Sequence, residues 1–165
     1  VGAILTRAGV LRSPAPARRA LFVQAARAGT PEAVLAAVRA PGFDPSKLVW
    51  FDDGDAPSFP DVRGSARITA DGANSVTVET ESDGPGWLVL LDGWFPGWEA
   101  RVDGAPARVR RADYAFRAVR VPAGRSVVSF DYRPSSVGVG LILALLSAGL
   151  LSLAWFATGR RSGLP

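Results

Sequence analysis

The feature that most constrains this chain is an uncharged apolar run, Val137–Thr158, reading VGVGLILALLSAGLLSLAWFAT. Wound into a helix, its 22 positions would reach roughly 33 Å, against about 30 Å of bilayer hydrocarbon. Trp155 and Phe156 sit near one end, where aromatic rings favour the membrane interface, and Gly159, Arg160 and Arg161 follow as a stop. A buried helix of a soluble protein rarely runs this far without a charge. The sequence therefore predicts one transmembrane helix over residues 135–159 and a cytoplasmic tail over 160–165. Arginines on a short tail count fully toward topology, whereas those inside a long folded domain count little, so residues before Ser136 are expected outside the cytoplasm. Gly140, Ala144, Ala148 and Ser152 recur every fourth residue, aligning small side chains on one face where another helix can approach. The expected partners are the lipid bilayer and further membrane helices of a multi-pass parent chain.

What the composition lacks narrows the chemistry. Cysteine and histidine are both absent, which removes disulfides, thiol nucleophiles, Cys-ligated zinc and the commonest general base. No methionine occurs, the chain opens on Val1, and no charged-then-apolar leader follows. The sequence reads as a piece of a longer protein. Its net charge of +4 comes almost wholly from arginine, Lys47 being the one lysine. That balance permits anionic partners, but a compositional arginine bias explains it more simply. No helix-turn-helix or finger pattern supports nucleic-acid binding.

Ahead of the apolar run the fold class reads as mainly β: a small α/β lead-in over 1–60, then an antiparallel β-sandwich-like extracytoplasmic domain over 61–134. In the lead-in, Ala20–Val23 and Leu48–Phe51 are short apolar runs suited to buried strands. Thr30, Pro31 and Glu32 open a helix with an N-cap, a proline at its first position and an early acid; Val34, Leu35 and Val38 give it one apolar face, and Pro41-Gly42 ends it. The arginine-rich, proline-broken stretch from Arg12 to Arg19 reads as a surface connection. From Val62 to Arg133 the pattern changes to short alternating strands. Val76, Val78 and Thr80 share one face, as do Trp98, Ala100 and Val102, and Val128, Phe130 and Tyr132. Trp87–Leu91 is apolar without alternation, the mark of a central strand covered on both faces. Asp-Gly pairs beginning at Asp71, Asp83, Asp92 and Asp103 punctuate the runs as turns.

Within this region Asp92, Phe95-Pro96-Gly97-Trp98, Val102-Asp103-Gly104, Ala112–Val119, Pro122–Gly124 and Tyr132-Arg133-Pro134, followed by a membrane helix, resemble the C-terminal end of the bacterial YfhO membrane-protein family. Trp94 and Phe95 stand where that family often shows tyrosines. The resemblance implies a multi-pass parent of the GT-C glycosyltransferase type, which uses a polyprenyl-phosphate-linked sugar to modify cell-envelope polymers at the cell membrane. In that class the catalytic acids lie near the N-terminal membrane helices. None of these 165 residues is thereby expected to be catalytic, and no cofactor or metal is expected.

The candidate contacts are Asp92 and Trp94, a carboxylate and an aromatic face suited to hydrogen-bonding and stacking on a sugar, and Arg110 and Arg117, guanidinium groups suited to a phosphate. The plainer reading makes the Asp92–Trp98 segment a shaped turn with Trp98 in the core. It makes Arg108, Arg110, Arg111, Arg117 and Arg120 a solvated sheet face. Asp52, Asp53 and Asp55 invite a calcium reading, yet their order does not match an EF-hand loop, and a solvated turn fits better. Three functions compete: an accessory domain of an envelope glycosyltransferase that contacts polysaccharide or lipid-linked sugar, a membrane-tethered carbohydrate-binding module, and a purely structural cap.

Overall fold

A computed structural model of the chain describes residues 3–6, 9–12 and 18–159, with side chains from residue 18 onward except at 135–139, 141, 154 and 156–159. Contacts divide the chain into two units, Val1–Tyr132 and Arg133–Pro165. The first is mainly β and sandwich-like. Its strands are β1 (Ala3–Thr6), β2 (Gly9–Arg12), β3 (Ala20–Val23), β4 (Ala25–Ala28), β5 (Leu48–Phe51), β6 (Gly64–Asp71), β7 (Ser75–Ser82), β8 (Gly86–Gly93), β9 (Trp98–Val102), β10 (Ala105–Ala107), β11 (Arg110–Ala112), β12 (Phe116–Val121) and β13 (Gly124–Tyr132). β1 and β2 form a hairpin of their own; a five-stranded sheet runs β10-β9-β13-β7-β6 and a six-stranded sheet runs β3-β8-β12-β11-β5-β4.

Period-2 alternation supplies the core between the two sheets. Val76, Val78, Ala100, Val128 and Phe130 from the first meet Ala20, Leu88, Leu90, Val119 and Val121 from the second. The second sheet is apolar on its other face as well, where Val23, Ala26, Val49, Phe51, Trp87, Val89, Ala112 and Ala118 form a second cluster. β8 feeds both, which is why its run shows no alternation, and it lies between β3 and β12 as a central strand should. The 52–61 segment covers the second cluster, its Phe59 packing there and its Pro57 carbonyl accepting from the Trp87 indole at 3.0 Å. The same segment blunts the edge strand β4, since the Ser58 hydroxyl accepts from Ala26 N–H and donates to Ala26 C=O, both at 2.8 Å.

The lead-in is built as its punctuation indicates. Helix α1 (Pro31–Arg39) starts on Thr30, whose side chain accepts from Ala33 N–H, and buries Val34. What local pattern did not reveal is that β4, α1 and β5 form a parallel crossover, and that β3, β4 and β5 complete the same sheet as β8 and β12. Asp103-Gly104 joins β9 to β10 in a two-residue turn with both φ angles positive, 51° and 82°, the geometry that Asp-Gly supplies cheaply. Asp92-Gly93 departs from expectation: it continues β8, and the chain turns only at Pro96-Gly97. Phe22 explains two other glycines, for a Cβ on Gly64 or Gly86 would lie 2.6 or 2.2 Å from its ring.

In the second unit, helix α2 (Ser135–Gly159) has 25 residues and neither an acid in its first turn nor a base in its last. Ile142, Leu143, Leu145, Leu146, Leu150, Leu151, Leu153 and Trp155 are each more than half exposed. Taken over the described residues, no helix is long and apolar enough to cross a membrane. The stretch with every side chain described, 142–153, would span only about 18 Å. The expected tail, 160–165, lies outside the described residues, as does 13–17 of the expected Arg12–Arg19 connection.

Candidate functional site

Strand phase explains the charge placement. On β12, Arg117 is in register with Val119 and Val121 and therefore points between the sheets; on β11, Arg110 is in register with Ala112 and points into the second cluster. A cation in either position needs partners that the protein itself provides.

Around Arg117 the partner is Asp92. Arg19 forks onto the Asp92 carboxylate, Nε to Oδ1 at 2.6 Å and Nη2 to Oδ2 at 2.8 Å, and Arg117 donates Nη2 to Oδ2 at 3.0 Å and Nη1 to the Gly93 carbonyl at 3.0 Å. Arg19 also pairs with Asp71, so it is a tie between strands rather than part of a surface connection. Its hydrogen bonds to Asp92 and Asp71 hold its pKa above the ordinary arginine value. The Arg117 side chain is only 3% exposed and its guanidinium lies 3.6 Å over the Trp98 ring, whose other neighbour is Tyr132 at 5.1 Å. Burial pulls the Arg117 pKa down; attraction to Asp92 opposes that and repulsion from Arg19 reinforces it. Its Nε has no partner.

Around Arg110 the partners come from the acidic 52–55 turn. Arg110 donates Nε to Asp53 Oδ1 at 2.7 Å, Nη1 to the Asp55 carbonyl at 2.8 Å and Nη2 to the Gly54 carbonyl at 3.3 Å. Its guanidinium rests 4.0 Å over Phe51. Arg108 reaches Asp53 Oδ2 at 2.9 Å, and Arg111 pairs with the buried Asp52 carboxylate. The acidic turn is thus the counter-ion of the β11 arginines rather than a merely solvated turn. Among the described residues no group of three or more His, Cys, Asp or Glu side chains could hold a metal ion.

Of the sequence candidates, the structure brings Asp92 and Arg117 together. It puts Arg110 in a separate network and sets Trp94 beside Arg111, whose guanidinium lies 5.7 Å from the Trp94 ring centre and 5.6 Å from that of Tyr114. The five arginines do not form one solvated sheet face: Arg110 and Arg117 are buried, whereas Arg108 and Arg120 are exposed, Arg120 lying over Phe59 at 5.1 Å. Charge at a core phase was the signal available in the sequence for both networks. It did not reveal Asp113. This residue, 2% exposed, accepts from Trp50 N–H at 2.8 Å through Oδ1, while Oδ2 has no partner. Burial raises its pKa from 3.8 to about 6, with the Trp50 hydrogen bond opposing.

Asp92 receives three donors and Arg110 gives to three acceptors within the fold, so both spend most of their polar capacity internally. The depression lined by Arg67, Glu79, Glu81 and Arg125 likewise pairs its own charges, Glu79 taking both arginines. No family model, curated protein or solved structure matches the chain.

Proposed function

We propose that this chain is the C-terminal end of a YfhO-like multi-pass membrane protein, with the sandwich as its extracytoplasmic accessory domain and α2 as its last membrane helix. The observation that carries the reading is α2. Its 25 uncharged residues reach about 37 Å, longer than a hydrocarbon core, and Leu143, Leu145, Leu146, Leu150, Leu151 and Leu153 are exposed, where only an apolar medium stabilises them. The hydroxyls of Ser147 and Ser152 ask nothing of that medium, because they donate to the Leu143 and Ala148 carbonyls at 2.8 Å. The parent's activity is sugar transfer from a polyprenyl-phosphate donor to a cell-envelope polymer. The domain contributes folding or acceptor capture, since its best-placed carboxylates and arginines neutralise one another.

The internally closed arginine networks also favour a second reading, a membrane-tethered structural or carbohydrate-binding module with no enzyme attached. Sugar-transfer assays on the parent and on residues 1–165 separate the two. Transfer by the parent and none by residues 1–165 is expected. A parent with no transfer activity selects the tethered module, and turnover by residues 1–165 alone overturns both.

A further inference from the structure

One end of the sandwich carries exposed aromatic side chains and the other does not. Tyr132, the last residue of β13, pairs with Trp98 at the start of β9 and donates its N–H to the Asn74 carbonyl at 2.8 Å. The β8–β9 loop, residues 94–97, therefore stands at the end where the chain leaves β13. Trp94 N–H donates to the Ala115 carbonyl at 2.8 Å, which brings the β11–β12 loop to the same end. These two loops present Phe95, 61% exposed, and Tyr114, 43% exposed, beside the half-buried Trp94. The turns at the opposite end, Asp83-Gly84-Pro85, Asp103-Gly104 and Pro122-Ala123, hold no aromatic residue.

A single exposed phenylalanine would need no explanation. Its coincidence with the exit end does. Only Arg133 and Pro134 separate Tyr132 from Ser135, the first residue of α2, a tether of about 10 Å at full extension. If α2 crosses a bilayer, chain connectivity keeps Tyr132 within about that distance of the lipid headgroups. Trp and Tyr, with an apolar body and a polar tip, and Phe beside them, are the side chains that partition into that layer.

We propose that the 94–97 and 113–115 loops form a lipid-facing tip, in which Trp94, Phe95 and Tyr114 insert into the headgroup layer of the bilayer that holds α2. The proposal rests on the membrane reading of α2 given above. It assigns Trp94 to lipid rather than to sugar.

The absence of cysteine makes a direct test simple. Single-cysteine variants Pro96→Cys, Ala123→Cys and Leu150→Cys of the full chain are spin-labelled and reconstituted into liposomes of phosphatidylcholine and phosphatidylglycerol. Collision with a water-soluble nickel chelate is then compared with collision with oxygen. The label at position 96 should meet the chelate several-fold less often than the label at 123, and adding Phe95→Ser to Pro96→Cys should raise that rate several-fold. If the label at 96 is as open as that at 123 while the one at 150 stays shielded, α2 is in lipid and the loop proposal is wrong. A label at 96 that is open to the chelate and slows only when dextran is added makes the tip a sugar platform, which overturns it too. A label at 150 open to the chelate removes the membrane reading itself.

Discussion

The two units solve the same problem in opposite ways. Up to Tyr132, apolar side chains point inward: Leu88, Leu90, Val119, Val128 and Phe130 reach essentially zero exposure, and the arginines that intrude are neutralised by Asp92 and Asp53. In α2, the described leucines stand 59–73% exposed, and no charge accompanies them along the helix. Phase separates the regions: most strands of the sandwich alternate and so have an inside, whereas the α2 sequence is apolar all round and has none.

Breaking the charge balance inside the sandwich should have the largest effect. Asp92→Ala leaves Arg117 buried without its counter-charge, which should cost about 3–5 kcal/mol. The urea midpoint of the full chain in detergent micelles, followed by tryptophan fluorescence, measures this. Two leucines then sharpen the comparison between units. Leu88→Ala opens a cavity between the sheets and should cost the domain about 2–5 kcal/mol, leaving membrane partition of α2 unchanged. Leu146→Arg should do the reverse, costing about 2.5–3.5 kcal/mol of insertion with an unaltered urea midpoint for the domain.

Asp113 gives a pH signature confined to the sandwich. Its folded pKa of about 6 lies above the ordinary 3.8, so between those values the folded state holds the extra proton. The stability that protonated Asp113 contributes is fully present below pH 3.8 and is lost as pH rises through about 6. Its loss amounts to at most about 3 kcal/mol. Asp113→Asn keeps an acceptor for Trp50 N–H and tolerates the φ of 48°. It should therefore raise the urea midpoint at pH 7 and leave it nearly unchanged at pH 4. Trp94→Ala should have the smallest effect, below about 1 kcal/mol in the same titration, because its half-buried ring belongs to neither core cluster.

Much of the architecture was legible. Ala20–Val23, Leu48–Phe51, the Thr30-capped helix and the doubly covered Trp87–Leu91 strand follow from period, cap and turn signals. Pairing between distant segments was not, because a strand's pattern says which face is buried and never which strand lies beside it. The parallel β4–β5 crossover was hidden for that reason, Ala25–Ala28 being too short and too weakly patterned to stand out. Charge was misread where it was treated as composition. Arg117 falls in phase with Val119 and Val121, and Asp52-Asp53 lies directly after a strand, so each needed a partner; the identity of that partner depended on the fold. Asp92-Gly93 carried a turn signature, yet the strand continues through it to place the carboxylate under Arg19 and Arg117. Asp113 left no local trace, since a loop aspartate normally faces water.

The central claim, that the sandwich makes its own interior while α2 needs an external apolar medium, is tested most directly by alkaline extraction. Membranes from bacteria producing the full chain are washed at high pH, and the wild type is compared with Leu146→Arg. The wild type should stay in the membrane pellet, and Leu146→Arg should shift markedly into the supernatant with its sandwich still folded by tryptophan fluorescence. Quantitative release of folded wild-type protein into the supernatant would contradict the account.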